Sequence, residues 1–192
     1  MFTIDWFEKK GTKQNFEQII LPLFNNKERL RFLEIGCFEG MATVWMLKYI
    51  LQHKASQIDV VDSFRGDIVT LSQGVNLSNL RQRFEDNIKD FKEKVVIYEG
   101  DSYHQLRLLK DNSYDFIYID GSHYQTDVLE DAIQSYHLVK HGGYMLFDDY
   151  QLIYEALGKT YQPKRAIDAF LQVYKDEVSL EFSNWQALIR KK

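Results

Sequence analysis

Five apolar runs, each followed by a stretch of helical spacing, constrain this chain more than any other feature. They are RFLEIG (31–36), QIDVVDSF (57–64), KVVIYEGDS (94–102), SYDFIYIDGSH (113–123) and GGYMLFDDY (142–150). None alternates cleanly between apolar and polar residues, as a strand with one solvated face does. Strands apolar on both faces and separated by helices form a parallel sheet covered on both sides. The intervening helices are expected at 41–52, 79–94, 104–110 and 126–140. Leu80, Phe84, Ile88 and Phe91 make one stripe of the second. The fourth has Thr126 as candidate N-cap and stops at Gly142-Gly143. Residues 65–78 read as a loop.

The ends of the chain complete the architecture. Residues 13–24 carry Phe16, Ile19, Ile20 and Leu23 on one helical face, so residues 1–30 are expected to form an N-terminal helical segment. After a helix at 165–176, VSLEFS (178–183) and WQALIRK (185–191) read as strands joined tightly at Asn184. Strands that close in sequence pair antiparallel, because a parallel crossover needs about a dozen residues or more. The expected fold is therefore α/β: a doubly wound seven-stranded mixed sheet, mostly parallel, with a C-terminal antiparallel hairpin. With only Pro22 and Pro163 present, nothing between them forbids long helices or central strands. No repeat or linker divides the chain, and residues 1–192 read as one domain.

Composition removes several function classes. A formal charge of −4 and a pI near 5.7 give no global attraction to nucleic acid or anionic lipid. The single cysteine, Cys37, excludes an intramolecular disulfide. No apolar run reaches the roughly 18 residues of a spanning helix, and the N-terminus lacks the basic-then-apolar order of a signal peptide, so a cytoplasmic protein is expected.

In open α/β sheets ligands bind beyond the carboxyl ends of the strands. There the first run carries Glu34, Gly36 and Gly40, with Cys37 and Phe38 in the turn. The second ends in Asp62, followed by Ser63 and Phe64; the third in Gly100, Asp101 and Ser102; the fourth in Asp120 with His123; the fifth in Asp148 and Asp149. Each alone has an ordinary reading: a tight turn, a solvated strand end, a helix cap, a surface histidine. All five strands ending in such residues on one rim is the argument for a site. A carboxylate after the second strand commonly takes both hydroxyls of a ribose.

The segments FLEIGCFEG, VVDSF, YEGDS, YDFIYIDGSHYQTDVLEDA, LVKHGGYMLFDDY and PKRAIDAFL resemble the class I S-adenosylmethionine-dependent methyltransferases. Within them the chain resembles the methyltransferase 24 group, related to catechol O-methyltransferase. The resemblance covers about residues 30–192 and implies a Rossmann-like fold with S-adenosylmethionine as cofactor. By that likeness Glu34, Gly36, Cys37, Phe38 and Gly40 flank the methionine part, and Asp62, Ser63 and Phe64 the ribose and adenosine. Gly100, Asp101 and Ser102 lie near the adenine. Asp120, Asp148 and Asp149 stand where the catechol enzymes bind a divalent metal, leaving Mg²⁺ or another divalent cation open as a second cofactor. Phe38 replaces the commonest glycine, as an aromatic does in the catechol branch. His123 replaces a catalytic Lys and becomes the candidate base, with Asp120 and Asp148 beside it.

The implied partner is a small hydroxyl acceptor, of sugar or natural-product type; no nucleic acid or membrane is expected, and a homodimer stays open. Residues 65–78 and 151–162 are expected to border the acceptor pocket, with Phe64, Tyr150, Tyr154 and Tyr161 near it. Three rival readings stand beside it, of which a serine or cysteine hydrolase lacks G-x-S-x-G and has no predicted base near Cys37. An NAD-dependent oxidoreductase shares the acidic residue after the second strand, but GCFEG is not G-x-G-x-x-G. A catalytically idle cofactor-binding module uses the same fold.

Overall fold

The computed structural model of the protein describes residues 2–8, 11–153 and 161–192. Seven strands form one sheet in the order β3-β2-β1-β4-β5-β7-β6. They are β1 (Arg31–Ile35), β2 (Gln57–Asp62), β3 (Val95–Glu99), β4 (Tyr114–Ile119), β5 (Val139–Phe147), β6 (Val178–Ser183) and β7 (Ala187–Lys191). The first five pair in parallel, and β7 is antiparallel to both β5 and β6. The mixed sheet with its terminal hairpin is as the spacing predicts.

Both faces of the sheet are covered because successive strand residues alternate between two apolar clusters. Phe32 and Phe116 face one cluster with Phe16, Ile20, Met46 and Phe84; Leu33 and Ile117 face the other with Val128, Phe147 and Phe170. The helices are α1 (residues 12–23), α2 (Met41–Tyr49), α3 (Ile68–Ser72), α4 (Leu80–Ile88), α5 (Ser102–Gln105), α6 (Gln125–Leu138) and α7 (Pro163–Val173). The middle of α1, Phe16–Ile20, is wound as a π-helix.

Three local expectations are corrected. Residues 65–78 hold α3, whose first turn is closed by Asp67 Oδ1 accepting from Thr70 N at 2.9 Å. The helix α6 starts after Tyr124 rather than at Thr126, with Ser122 Oγ donating to Asp127 and accepting from Tyr124 N. It also ends at Leu138, so Gly142-Gly143 lie inside β5 and do not stop the helix. Pairing shifts register between Tyr114 and Phe116 opposite them. Gly142 has φ 76°, and a Cβ on Gly143 would lie 2.8 Å from Val139 Cγ2, so the glycines accommodate a bulge.

Candidate active site

One cavity of about 640 Å³ opens at the carboxyl ends of the parallel strands. That is the size range of small-molecule sites, roughly 300–1,000 Å³. Of the residues expected to hold the cofactor, Glu34, Gly36, Cys37, Phe38, Asp62, Ser63, Gly100, Asp101, Ser102 and Asp120 line it. Two do not. Gly40 starts α2 at φ 83°, and a Cβ there would meet the Phe84 ring at 2.9 Å, so this glycine serves helix packing. The Phe64 ring is turned into the core between Phe84 and the Arg81 guanidinium.

Gly36 also has a backbone reason. At φ 79°, its Cβ would lie 2.2 Å from the Asp120 carbonyl oxygen, so glycine lets the ends of β1 and β4 close up. The turn that follows is organised by Asp62. Its Oδ2 accepts from Cys37 N at 2.8 Å and Phe38 N at 2.9 Å, and Oδ1 from Phe64 N at 2.6 Å. A carboxylate offers about four acceptor positions. In this arrangement Asp62 already accepts from three backbone N–H groups. Asp101 is exposed and paired with Arg65 at 2.8 Å. Cys37 is buried, which pushes its thiol up and away from reactivity.

Glu34 is fully buried and accepts from Thr43 Oγ1 at 2.5 Å. Burial raises its carboxyl to about 8, against that hydrogen bond, so it is neutral at pH 7. Across the rim, Tyr118 OH lies between Asp148 Oδ2, to which it donates, and Asp120 Oδ2 at 3.1 Å. One phenolic proton cannot serve two carboxylates. Enclosure in the cleft, reinforced by the charges of Asp148 and Asp149, holds Asp120 well above the usual carboxylate range. Enclosure and Asp149 likewise raise Asp148, to about 6.

His123 lies between two carboxylates. Nδ1 is 2.7 Å from Asp67 Oδ2, and Nε2 is 2.8 Å from Asp149 Oδ2. Burial opposes its charge, but the hydrogen bonds to Asp149 and Asp67 outweigh burial and raise its pKa to about 10. As it stands, His123 is an imidazolium with both nitrogens engaged. The part of base expected of it requires Asp67 or Asp149 to release one of those nitrogens. Asp149 turns to His123 while Asp120 and Asp148 share Tyr118, and among the described residues no three His, Cys, Asp or Glu are grouped to hold a metal ion.

The cavity has other members the sequence did not disclose. Ile4, Trp6 and Phe7 of the N-terminal segment line it, tied down where Thr3 N and Oγ1 donate to buried Glu39. Trp185 and Leu152 line it near Asp148 and Asp149. Gln186 donates to Asp148 at 3.2 Å and accepts from Asn15 of α1. Asp131 on α6, 1% exposed, lines it beside Ser102. Tyr118, two residues before Asp120 near the end of β4, turns to the same side and was not singled out in the sequence. Of the expected acceptor border, Tyr150 is buried and bonded to Asp168 and Lys164, Tyr161 packs on Tyr124, and Tyr154 falls outside the described residues. Among the described residues no helix is long and apolar enough to cross a membrane.

Comparison with known proteins places this geometry. Residues 33–150 match the family model described as a methyltransferase domain. The uncharacterized protein R132 of Acanthamoeba polyphaga mimivirus is 30% identical over 128 residues, 65% of this chain and 53% of that protein. The chain thus spans about half the length of that curated relative. Among solved structures, the O-methyltransferase from Bacillus cereus in complex with SAH superposes with TM-score 0.65 at 15% identity, over 97% of this chain and 84% of that one. TomG, an O-methyltransferase of tomaymycin synthesis from Streptomyces achromogenes solved with SAM, gives 0.62 at 13% identity, over 84% and 73%. The SAH-bound methyltransferase PaMTH1 of Podospora anserina gives 0.58 at 19%, over 84% and 71%. At these identities the structural likeness is one of fold. Matched by the domain model along more than half its length, the chain belongs to this methyltransferase family and carries the class I S-adenosylmethionine-dependent fold.

Proposed function

We propose that the protein transfers the methyl group of S-adenosylmethionine to a hydroxyl of a small acceptor, which becomes a methyl ether. The observation that carries this reading is the His123–Asp149 pair at the end of a cavity whose other end holds Asp62 and Asp101. The residues fit the cofactor: a glycine-tight turn, an acidic residue after the second strand and an enclosed cleft of suitable size. When bound, S-adenosylmethionine supplies an electrophilic methyl on a sulfonium. Asp62 would hold the ribose, and Ser102 and Asp101 would border the adenine. Phe38, Trp6 and Trp185, which line the cavity, exclude water from it.

A hydroxyl becomes a competent nucleophile as its proton leaves. The acceptor oxygen gives an electron pair to the methyl carbon, and the carbon–sulfur pair stays on sulfur. The hydroxyl proton passes to the Asp149 carboxylate, with the His123 imidazolium beside it holding the charge balance. Asp120, held above the usual carboxylate range by its enclosure and by Asp148 and Asp149, resists ionisation beside Tyr118.

A metal-assisted reading requires Asp149 to leave His123 and join Asp120 and Asp148. The test is formation of S-adenosylhomocysteine from S-adenosylmethionine with a pool of sugar and phenolic hydroxyl compounds, assayed with and without excess EDTA. Asp149→Asn is expected to lower the initial rate by roughly two to four powers of ten. A rate equal to wild type removes Asp149 as proton acceptor, and turnover abolished by EDTA and restored by Mg²⁺ assigns it to a metal instead.

A further inference from the structure

We propose that Asp67 is a positioning residue for the transfer step, holding His123 by Nδ1 so that Nε2 is presented to Asp149 at the reacting end of the cavity. This rests on the methyl-transfer reading above. The two carboxylate oxygens of Asp67 have separate tasks. Oδ1 accepts from Thr70 N at 2.9 Å and from Thr70 Oγ1 at 2.8 Å, closing the first turn of α3. Those two bonds fix the plane of the carboxylate. Oδ2 is left to face His123 Nδ1 at 2.7 Å.

The ring is thereby held along one edge, and its far nitrogen meets Asp149 Oδ2 at 2.8 Å. Asp67, His123 and Asp149 come from three different segments and all line the cavity. Their side chains are 20%, 17% and 19% exposed, so the row is shielded but reachable from the cleft. An ion pair that only stapled the segment after β2 to the segment after β4 would end at His123. This one continues to Asp149, which follows β5. A carboxylate that orients an imidazole by one nitrogen leaves the other aimed at a reacting group, the logic of the hydrolase triads. Here the aimed nitrogen meets a second carboxylate, so Asp67 controls the direction from which Asp149 is buttressed.

The arrangement also links the two ends of the site. Asp67 is five residues beyond Asp62, and Ser63 and Gly66 between them line the same cavity. The segment that borders the ribose thus carries the group that orients His123.

The experiment uses the full chain saturated with S-adenosylhomocysteine, with ¹⁵N-imidazole spectra, initial rates in the acceptor pool and calorimetric affinity measured together. In wild type the Nδ1–H of His123 is expected as a slowly exchanging resonance. Asp67→Asn should lose it and lower the rate at least tenfold, with affinity for S-adenosylhomocysteine within threefold of wild type. Asp67→Glu should restore both resonance and rate in part, which a general loss of folding would not allow. An Asp67→Asn protein with the wild-type imidazole spectrum overturns the proposal. So does one whose affinity falls in step with its rate, since Asp67 would then serve the cofactor. If wild type binds no S-adenosylhomocysteine, the methyl-transfer reading fails, and the spectrum of unliganded Asp67→Asn still decides whether Asp67 orients His123.

Discussion

Single side chains in this site do two tasks at once, and substitutions should separate them. Asp62 gathers three backbone N–H groups and, in the proposed function, also holds the ribose. Asp62→Ala should weaken S-adenosylhomocysteine by about 1–3 kcal/mol and also lower the melting temperature of the unliganded protein, because buried donors lose their acceptor. Calorimetry and thermal melts check the two effects; loss of affinity with an unchanged melt would mean that the turn does not depend on Asp62. Glu34 gives a pH prediction. Its carboxyl is raised from 4.5 to about 8, so its contribution to stability is fully present below about 4.5 and is lost as pH rises through 8. Glu34→Gln keeps an acceptor for Thr43 and removes the charge. Stability measured by denaturant between pH 5 and 9 should fall less steeply in the variant, which should exceed wild type by about 4–5 kcal/mol at pH 9. Parallel pH profiles would show that Glu34 is not the group being neutralised. Asp131, raised to about 7 by burial, adds to the wild-type slope with the same sign.

At the scale of elements, the close approach of β1 to β4 depends on Gly36. A Cβ there would lie 2.2 Å from backbone that cannot swing away. Gly36→Ala is expected to cost about 3 kcal/mol or more, seen as a large fall in melting temperature, whereas Gly74→Ala, with nothing within 4 Å, should cost about 1 kcal/mol through its φ of 68° alone. Equal melts for the two would show that the strands do not need that spacing. The strands and the order of the elements were legible because buried parallel strands are written as unbroken apolar runs, and the rim because each run ends in Gly, Asp or Ser. The bulge at Gly142-Gly143 was not. Two glycines after a helix signal its end, and only the register against β4 shows that the strand had already begun. The cap of α3 was hidden because Asp67 is one acidic residue in a polar loop, and its partner His123 lies 56 residues away. Trp6 was hidden for a like reason: Glu39, which anchors its segment through Thr3, reads as part of the glycine turn. The two expected residues outside the cavity, Gly40 and Phe64, neighbour true lining residues, and which way a side chain turns is set by Phe84 on a distant helix.

For the whole molecule, one cleft is lined by three separated parts of the chain: the N-terminal segment, the segment after β2 and the β6–β7 connection. Asn15, Gln186 and Asp148 join the first and last of these by hydrogen bonds to the rim. Filling the cleft should therefore stabilise the entire fold. At a hundredfold excess over its dissociation constant, S-adenosylhomocysteine should add about 2.7 kcal/mol to unfolding. A melt unmoved by saturating ligand would mean that the cleft does not couple to the fold. The most direct test of the central claim is a calorimetric titration of the full chain with S-adenosylhomocysteine, with NADH as the control. The account predicts binding at micromolar affinity or better for the first, weakened in Asp62→Ala, and no measurable heat for the second. No binding of S-adenosylhomocysteine, or preferential binding of NADH, would contradict it.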